Sequence, residues 1–207
     1  NDPNLFTHFE AGRAAIGRYA RALPVEERIY ISPELADHPS IIYNSGARSG
    51  LKSYNGRLCT VFPEVTHAPT TYIIVQHEDR ASLEKLRAYY PTGEQIPAGP
   101  AWYGQPYFTA YRLSAGTQAV WSPDHALDVN WDETIKVMGY DLSTETASSG
   151  EPLYLVLYYG ALKDIERNYV VFTHLLGPDN PASGNDLWAQ DDSEPCRAFY
   201  PTSAWSV

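Results

Sequence analysis

Two serine patterns match those of catalytic serines, but their context does not suit catalysis. Ser82-Leu-Glu-Lys85 matches the Ser-x-x-Lys pattern of serine acyl-enzymes, and Ser53-Tyr-Asn55 matches the accompanying Ser-x-Asn pattern. The two occur in the reverse of the usual order, and no Lys-Thr-Gly follows them. The Ser-x-x-Lys segment also falls in the first turns of a predicted amphipathic helix. We therefore assign no catalytic residue to this chain.

An imidazole stands beside acidic side chains at the end of a predicted strand. His77, Glu78 and Asp79 follow an apolar, β-branched run. In α/β sheets the carboxyl ends of strands are where ligands bind, which makes His77 and Glu78 candidate binding residues. The alternative is that the acidic residues only favour the start of the following helix through its dipole. We favour that alternative.

The second half of the chain carries a weaker candidate for metal binding. His174 and the Asp191-Asp192 pair have no recognisable ligand spacing, so we interpret them as ordinary strand residues. Calcium bound through Asp191, Asp192 or Glu194 stays a minor alternative. No Cys-x-x-Cys or Cys/His cluster suggests a zinc site. We expect no metal and no other cofactor in this chain.

Aromatic side chains give the best binding hypothesis, because their faces stack on the apolar C–H faces of sugar rings. Trp102 and Tyr103 lie in a stretch rich in Gly and Pro, which predicts an exposed loop. The other candidates are Trp121, Trp188 and Trp205. The alternative is that these rings fill small cores. We expect a core position for most of them, with Trp102 and Tyr103 as the exceptions.

Residues 1–115 are predicted to form an α/β domain, a small Rossmann-like sandwich. Apolar residues at three- and four-residue steps predict helices, and β-branched apolar runs predict strands. The predicted helices are 5–23, 39–44 and 80–90, the last with Asp79 as N-cap. The predicted strands are Arg28–Ser32, 57–62, 71–76 and 107–113. The run 71–76 is nearly continuous, as in a strand covered on both faces.

Residues 116–207 are predicted to form an antiparallel β-sandwich of jelly-roll or immunoglobulin-like type. The predicted strands are 134–141, 153–159, 169–175 and 187–190, and residues 114–130 form a linker or a first edge strand. Turn-like segments at 148–152 and 177–181 separate them. One or two closing strands are still expected where the sequence reaches Val207, so the predicted sandwich is incomplete.

Composition excludes several classes of partner. The formal net charge of −10 argues against nucleic acid and against docking on an anionic membrane through a basic patch. The most apolar run, 153–162, is about half of the roughly 20 residues that a membrane-spanning helix needs. Cys59 and Cys196 stand one in each half, and we expect two free, buried thiols.

Several segments together resemble a known group of proteins. Asp2-Pro3, Phe6 and Phe9, an Ala-rich amphipathic helix and Arg28–Ser32 resemble the region after the last membrane span of bacterial membrane glycosyltransferases. The group is the dolichyl-phosphate-mannose protein mannosyltransferase-like and aminoarabinose transferase-like superfamily. Ile-Lys-Val-Met-Gly-Tyr-Asp, Asn-Tyr-Val-Val-Phe-Thr-His-Leu-Leu-Gly and Ala-Gln-Asp-Asp-Ser-Glu-Pro resemble the β-sandwich appended to some of its members.

The resemblance implies a function for the whole protein and a location for this region. It implies a soluble, extracytoplasmic accessory region of a cell-membrane enzyme that uses a polyprenyl-phosphate-linked sugar. The catalytic carboxylates of that group lie in a loop that this chain lacks, so none is carried over. The expected partners are the membrane-embedded part of the same polypeptide and a glycan or other acceptor. The alternatives are a secreted carbohydrate-binding protein and a purely structural or interaction module.

Overall fold

The computed structural model describes residues 10–146, 148 and 150–205, and the chain divides into two compact units. The first is Asn1–Val120 and the second Trp121–Val207, so the division falls five residues after the expected boundary. Hydrogen bonds explain the difference. Thr66 N donates to Thr117 O at 2.9 Å, and Thr117 N donates to Thr66 Oγ1 at the same distance, which ties the segment after residue 115 to the first unit.

The first unit is a mixed sheet with helices, as an α/β domain requires. Its helices are α1 (Ala11–Ala22), α2 (Pro39–Ser45) and α3 (Ala81–Tyr89). Its strands are β1 (Arg28–Ser32), β2 (Leu51–Ser53), β3 (Thr70–Ile74), β4 (Glu94–Trp102) and β5 (Gln105–Leu113). The strand order is β2-β1-β3-β5-β4, with β1 parallel to β2 and β3, and β5 antiparallel to β3 and β4. The start of the predicted helix 5–23 lies outside the described residues.

The core of this unit lies along its two central parallel strands. Every residue of β3 is buried, which confirms the prediction of a strand covered on both faces. Strand β1 has the predicted bounds, and Ile29 and Ile31 join Ile73 in the main apolar cluster with Ile16 of α1. The helix packs its buried small and apolar residues against the sheet because they recur on one helical face.

One strand prediction in this unit is wrong, and two strands, β2 and β4, were not predicted. Residues 57–62 form no strand; Leu58 N and Cys59 N both donate to Asn55 O, at 2.8 and 2.9 Å, which makes a turn. Strand β4 was not expected because it contains Pro97 and Pro100. It lies at the edge of the sheet, where a missing N–H breaks no ladder on its outer side.

The described part of the second unit consists of antiparallel strands and short 3₁₀ turns. Its strands are β6 (His125–Trp131), β7 (Ile135–Leu142), β8 (Leu155–Ala161), β9 (Val171–Asn180) and β10 (Asn185–Ser193). One sheet has the order β6-β7-β8, and β9 pairs with β10 in a second sheet. Short 3₁₀ turns follow at Pro195–Ala198 and Thr202–Ala204. Antiparallel pairing is therefore confirmed, and the described chain as a whole is mixed α/β and mostly β.

The cysteines differ from the expectation. Cys59 and Cys196 are both disulfide-bonded, and neither is a free thiol. The prediction of two free, buried thiols is therefore wrong. Two cysteines far apart in the sequence carry no local sign of their oxidation state, because a disulfide depends on distances that only the folded chain sets.

Candidate functional site

The first unit gathers its binding candidates beyond the carboxyl end of β3. His77 and Glu78 follow that strand directly. Strand β5 is antiparallel to β3, with Ile74 opposite Thr109, so β5 begins at the same end of the sheet. The β4–β5 hairpin turn, which carries Tyr103, therefore lies there too. Two groups of residues that the sequence offered separately, His77-Glu78 and Trp102-Tyr103, meet in one place.

Three aromatic rings form what we call the aromatic platform: His77, Trp102 and Tyr103. The His77 and Trp102 rings are stacked, with centroids 3.9 Å apart and planes at 30°. Tyr103 meets Trp102 edge-to-face at 4.8 Å. The Trp102 ring is partly buried and packs against the main apolar cluster, whereas Tyr103 is 71% exposed. One end of the platform is thus fixed to the core and the other is open to solvent.

The turn that presents Tyr103 is strained. Tyr103 has φ 47° and Gly104 has φ 79°, and Trp102 pairs with Gln105 across them. Positive φ at both central residues defines a two-residue turn that strongly prefers Asn-Gly. A tyrosine in this left-handed conformation costs about 1–2 kcal/mol. Non-glycine residues held in such conformations cluster at binding sites, which favours a functional reason for the tyrosine.

Charged side chains surround the base of the platform. Glu34, which follows β1, is only 8% exposed and accepts from Arg13 Nε at 2.7 Å. Arg13 also pairs with Glu10 at 3.3 Å. His77 Nε2 lies 3.5 Å from Glu78 Oε1. The site therefore offers carboxylate acceptors and a guanidinium donor next to aromatic faces, which is a combination suited to hydroxyl-rich, uncharged ligands.

The environment shifts the ionisation of three groups. Burial lowers the pKa of His77, against the opposing pull of Glu78 and Glu34. Burial raises the pKa of Tyr107, whose ring lies 5.3 Å from that of His77, to about 12. The hydrogen bond to Glu34 raises the pKa of Arg13. Near neutral pH the site thus combines a neutral imidazole, a neutral phenol and a charged guanidinium.

Helix α1 packs closely against Tyr107 next to the site. The sequence did not predict this contribution. A Cβ at Gly12 would overlap the ring of Tyr107, so the close approach of the helix requires glycine there. This approach places Arg13 beside Glu34, 21 residues further along the chain. A glycine on the buried face of an amphipathic helix was the only sequence signal of such an approach.

The serine pattern proves to be part of a buried network. Asp79 accepts from Ser82 N at 3.0 Å, the hydrogen bond of an N-cap, and from Ser82 Oγ at 2.5 Å. It also accepts from Ser32 Oγ, which in turn accepts from Gly56 N at 3.0 Å. Ser82 is fully buried, while Lys85 lies on the exposed side of α3. The network joins the carboxyl end of β1 to the helix that follows β3.

The candidates of the second unit are engaged with one another. His174 Nε2 lies 3.3 Å from Asp192 Oδ1, and Arg197 donates to Asp191 Oδ2 at 2.8 Å. Within the described ranges, no group of three or more His, Cys, Asp or Glu residues could hold a metal ion.

The tryptophans do not fill the cores as expected. Trp121 and Trp205 are partly exposed, and Trp131 and Trp188 are about half exposed. Trp102, which was expected in an exposed loop, instead ends strand β4 and is partly buried. The fully buried large rings belong instead to Tyr54, Tyr72, Tyr90, Tyr111 and Phe108. Ring size did not predict burial here, because Tyr72 and Tyr111 lie on strands inside the sheet and Tyr90 lies at the end of α3.

Comparison with known proteins finds no matching family model, no significantly similar curated protein and no significantly similar solved structure. Among the described residues, no helix is both long and apolar enough to cross a membrane.

Proposed function

We propose that this chain is the extracytoplasmic accessory region of an integral-membrane glycosyltransferase, and that its aromatic platform binds a glycan of the acceptor. The donor of the whole enzyme is a polyprenyl-phosphate-linked sugar, and catalysis takes place outside this chain. In this proposal the first unit is Rossmann-like and the second is a β-sandwich. The sequence resemblance is the reason for proposing this enzyme class. The aromatic platform is the reason for proposing that the chain binds a glycan.

The proposal rests on aromatic rings that are stacked or exposed and that lie beside carboxylate hydrogen-bond acceptors. A sugar ring has apolar C–H faces that pack on aromatic faces, and hydroxyl groups at its edge that donate to carboxylates. Trp102 and Tyr103 supply the first kind of contact. Glu78, whose side chain is 40% exposed, supplies the second. The strained turn at Tyr103 supports a role in binding, because Asn or Gly would relieve the strain but would remove the ring that meets Trp102.

The oxidation state of the cysteines supports the proposed extracytoplasmic location of this chain. Disulfides form and persist outside the cytosol and are rare inside it. Both cysteines of this chain are disulfide-bonded. The same observation favours the alternative function, a secreted carbohydrate-binding protein, to an equal degree. The two functions share the glycan site and differ in whether the chain is joined to a membrane-embedded part.

Glycan binding is tested with the purified chain against a panel of hexose and hexosamine oligosaccharides, by calorimetry and by NMR. We expect Trp102→Ala to weaken binding at least tenfold with an unchanged circular dichroism spectrum. Trp188→Ala is the matched control, because it removes a half-exposed tryptophan of the second unit. Equal loss in both variants, or no binding to any glycan of the panel, would overturn the proposed site.

The compartment and the membrane link are tested by fractionating native cells and probing with an antibody against this chain. A band well above 23.1 kDa that stays with membranes after high-salt and carbonate washes is expected. A secreted band near that mass would favour the secreted alternative. Thiol titration of the unreduced, denatured protein should find no free thiol.

A further inference from the structure

The second helix of the first unit leaves apolar side chains uncovered on its outer side. Ile41 of α2 is buried in the main apolar cluster, whereas Ile42 is 41% exposed and Tyr43 is 84% exposed. Pro39 and Ala47 border the same surface depression, and we call the four exposed positions, 39, 42, 43 and 47, the α2 patch. Apolar side chains grouped on the surface of a folded unit mark a site of interaction.

Arginines surround the C-terminal end of the α2 patch. Arg18 Nη1 donates to Asn44 Oδ1 at 3.3 Å, which holds its guanidinium beside α2. A Cβ at Gly46, which also borders the depression, would lie 3.7 Å from Arg21 Nε. Arg48 follows two residues later. In the part of the chain that the structure describes, none of these three arginines contacts a carboxylate, so their charges stay available to an anionic partner.

Hydrogen bonds of Arg48 fix this arrangement. Its Nη1 donates to the carbonyl oxygens of Ala20 and Leu23, at 2.8 and 2.6 Å, and so ties the end of α1 to the segment after α2. Its Nη2 lies 3.4 Å from the carbonyl oxygen of Val25, whose side chain is 86% exposed. Positive charge and exposed apolar groups are thus held in fixed relative positions, which lowers the entropic cost of binding.

We propose that the α2 patch and its arginines lie on the surface of a lipid bilayer, where the arginines bind lipid phosphate groups and Tyr43 enters the headgroup region. Arginine binds phosphate oxygens through two parallel hydrogen bonds. Tyrosine is enriched at membrane–water interfaces because its ring is apolar and its hydroxyl is polar. The inference rests on the membrane link proposed above, which keeps this chain close to a bilayer.

The local charge at this surface is opposite to the net charge of the chain. The chain carries −10, which by itself argues against an anionic membrane. At physiological ionic strength, however, exposed charges further apart than about 8 Å are largely screened from each other. Asp37 precedes the N-terminal end of α2, and a helix of its length separates Asp37 from the arginines by about 10 Å. Glu26, next to Val25, offsets only one of the three positive charges.

The test measures binding of the purified chain to lipid vesicles by flotation. One set of vesicles mixes one part phosphatidylglycerol with two parts phosphatidylcholine, and the other set is phosphatidylcholine alone. We expect at least fivefold tighter binding to the mixed vesicles, because phosphatidylglycerol adds anionic phosphate without a compensating cation. A lipid with a paramagnetic headgroup, added to the mixed vesicles, should broaden the amide NMR signals of residues 42–48.

Matched substitutions separate the patch from general effects of charge. Arg18→Gln combined with Arg21→Gln should weaken binding to the mixed vesicles at least tenfold, because each arginine near an anionic surface contributes about a fivefold change. Arg80→Gln combined with Arg87→Gln removes the same charge from exposed positions at α3 and should leave binding unchanged.

A second pair of variants tests the aromatic contact and separates this inference from the glycan site. Tyr43→Ser should weaken vesicle binding several-fold and leave glycan binding unchanged, whereas Tyr154→Ser, at a 68% exposed tyrosine of the second unit, should change neither. Equal losses in patch and control variants, no preference for phosphatidylglycerol, broadening that spares residues 42–48, or self-association that Tyr43→Ser abolishes would each overturn the inference and leave the glycan proposal standing. Vesicle binding without glycan binding would overturn only the glycan site.

Discussion

The two units of this protein use their apolar side chains in different ways. In the first unit, isoleucines and tyrosines of α1, α2, β1, β3 and β5 are fully enclosed, with Ile73 and Tyr72 at the centre of the sheet. In the described part of the second unit, the buried apolar residues are Ile135, Ile165 and Tyr200. Most of its large apolar strand residues are partly or largely exposed. Similar composition thus produces a closed core in one unit and an accessible apolar surface in the other.

This difference indicates where stability and recognition reside. Burying apolar surface stabilises a fold in proportion to the area removed from water, so the first unit gains far more from its side chains. Exposed apolar surface in a folded protein marks a site of interaction. The first unit is therefore a stable frame, and its candidate site lies at the rim of the sheet. The second leaves many of its large apolar side chains exposed.

The largest effect is expected when an apolar side chain is shortened to alanine in each of the two units. Ile73→Ala should lower the free energy of unfolding of the first unit by about 2–5 kcal/mol, because it leaves a cavity in a closed core. Leu155→Ala, at a site that is 38% exposed, should cost less than about 1 kcal/mol. Hydrogen exchange of the β3 and β8 amides measures each unit separately. Similar losses at both sites would show that the second unit is as tightly packed as the first.

A smaller effect is expected from adding a methyl group to a glycine in each unit. A Cβ at Gly56 would overlap Ser82 Oγ and the Asp79 carboxylate, whereas one at Gly160 would meet only Met138 at 3.7 Å. Gly56→Ala should therefore cost about 1–3 kcal/mol. Gly160→Ala should change stability by less than about 0.5 kcal/mol. Thermal unfolding of both variants checks the pair, and a neutral Gly56→Ala would contradict the rigid network around Asp79.

Local sequence patterns predicted the elements whose periodicity was clear. The run Arg28–Ser32 is a strand with the predicted bounds, and three antiparallel strands of the second half lie close to their predicted positions. The predicted turn at 177–181 is wrong, because β9 continues to Asn180. Residues 57–62 were predicted to form a strand because they are apolar and β-branched, but their backbone bonds to Asn55 instead. Strand β4 was missed because proline normally argues against a strand, and only its edge position makes proline acceptable.

The candidate site could be predicted only in pieces. The sequence offered His77-Glu78 and Trp102-Tyr103 for separate reasons, and nothing in their spacing indicated that the rings would stack. Their meeting depends on the antiparallel pairing of β3 with β5, which is a non-local property. Arg13 and Glu34 were missed for the same reason, because their contact depends on how α1 packs on the sheet.

Two hairpin turns allow a further comparison between the units. Tyr103 in the first unit and Glu133 in the second both have positive φ, 47° and 49°. Tyr103→Asn and Glu133→Gly each install a residue that prefers this conformation, so each should stabilise the protein by up to about 1 kcal/mol. Only Tyr103→Asn should also weaken glycan binding, because it removes a ring of the platform. Thermal unfolding and calorimetry measure the two effects, and unchanged glycan affinity would show that the strained tyrosine serves another purpose.

The smallest expected effect is the pH dependence of the first unit at its rim. Burial lowers the pKa of His77 below its usual value of 6.5, so the folded protein binds fewer protons at this site than the unfolded chain. The resulting stability is fully present above about pH 6.5 and is lost as the pH falls through the lowered pKa. His77→Phe keeps a ring on Trp102 but cannot be protonated. Wild-type protein should therefore lose more thermal stability than His77→Phe between pH 8 and pH 5, by a small margin because the imidazole is 27% exposed.

NMR titration of His77, with a free histidine derivative in the same tube as reference, should give the lower midpoint for the protein. A midpoint above that of the reference would mean that Glu78 and Glu34 affect the pKa of His77 more than burial does. The closed packing of the first unit would then not extend to the aromatic platform.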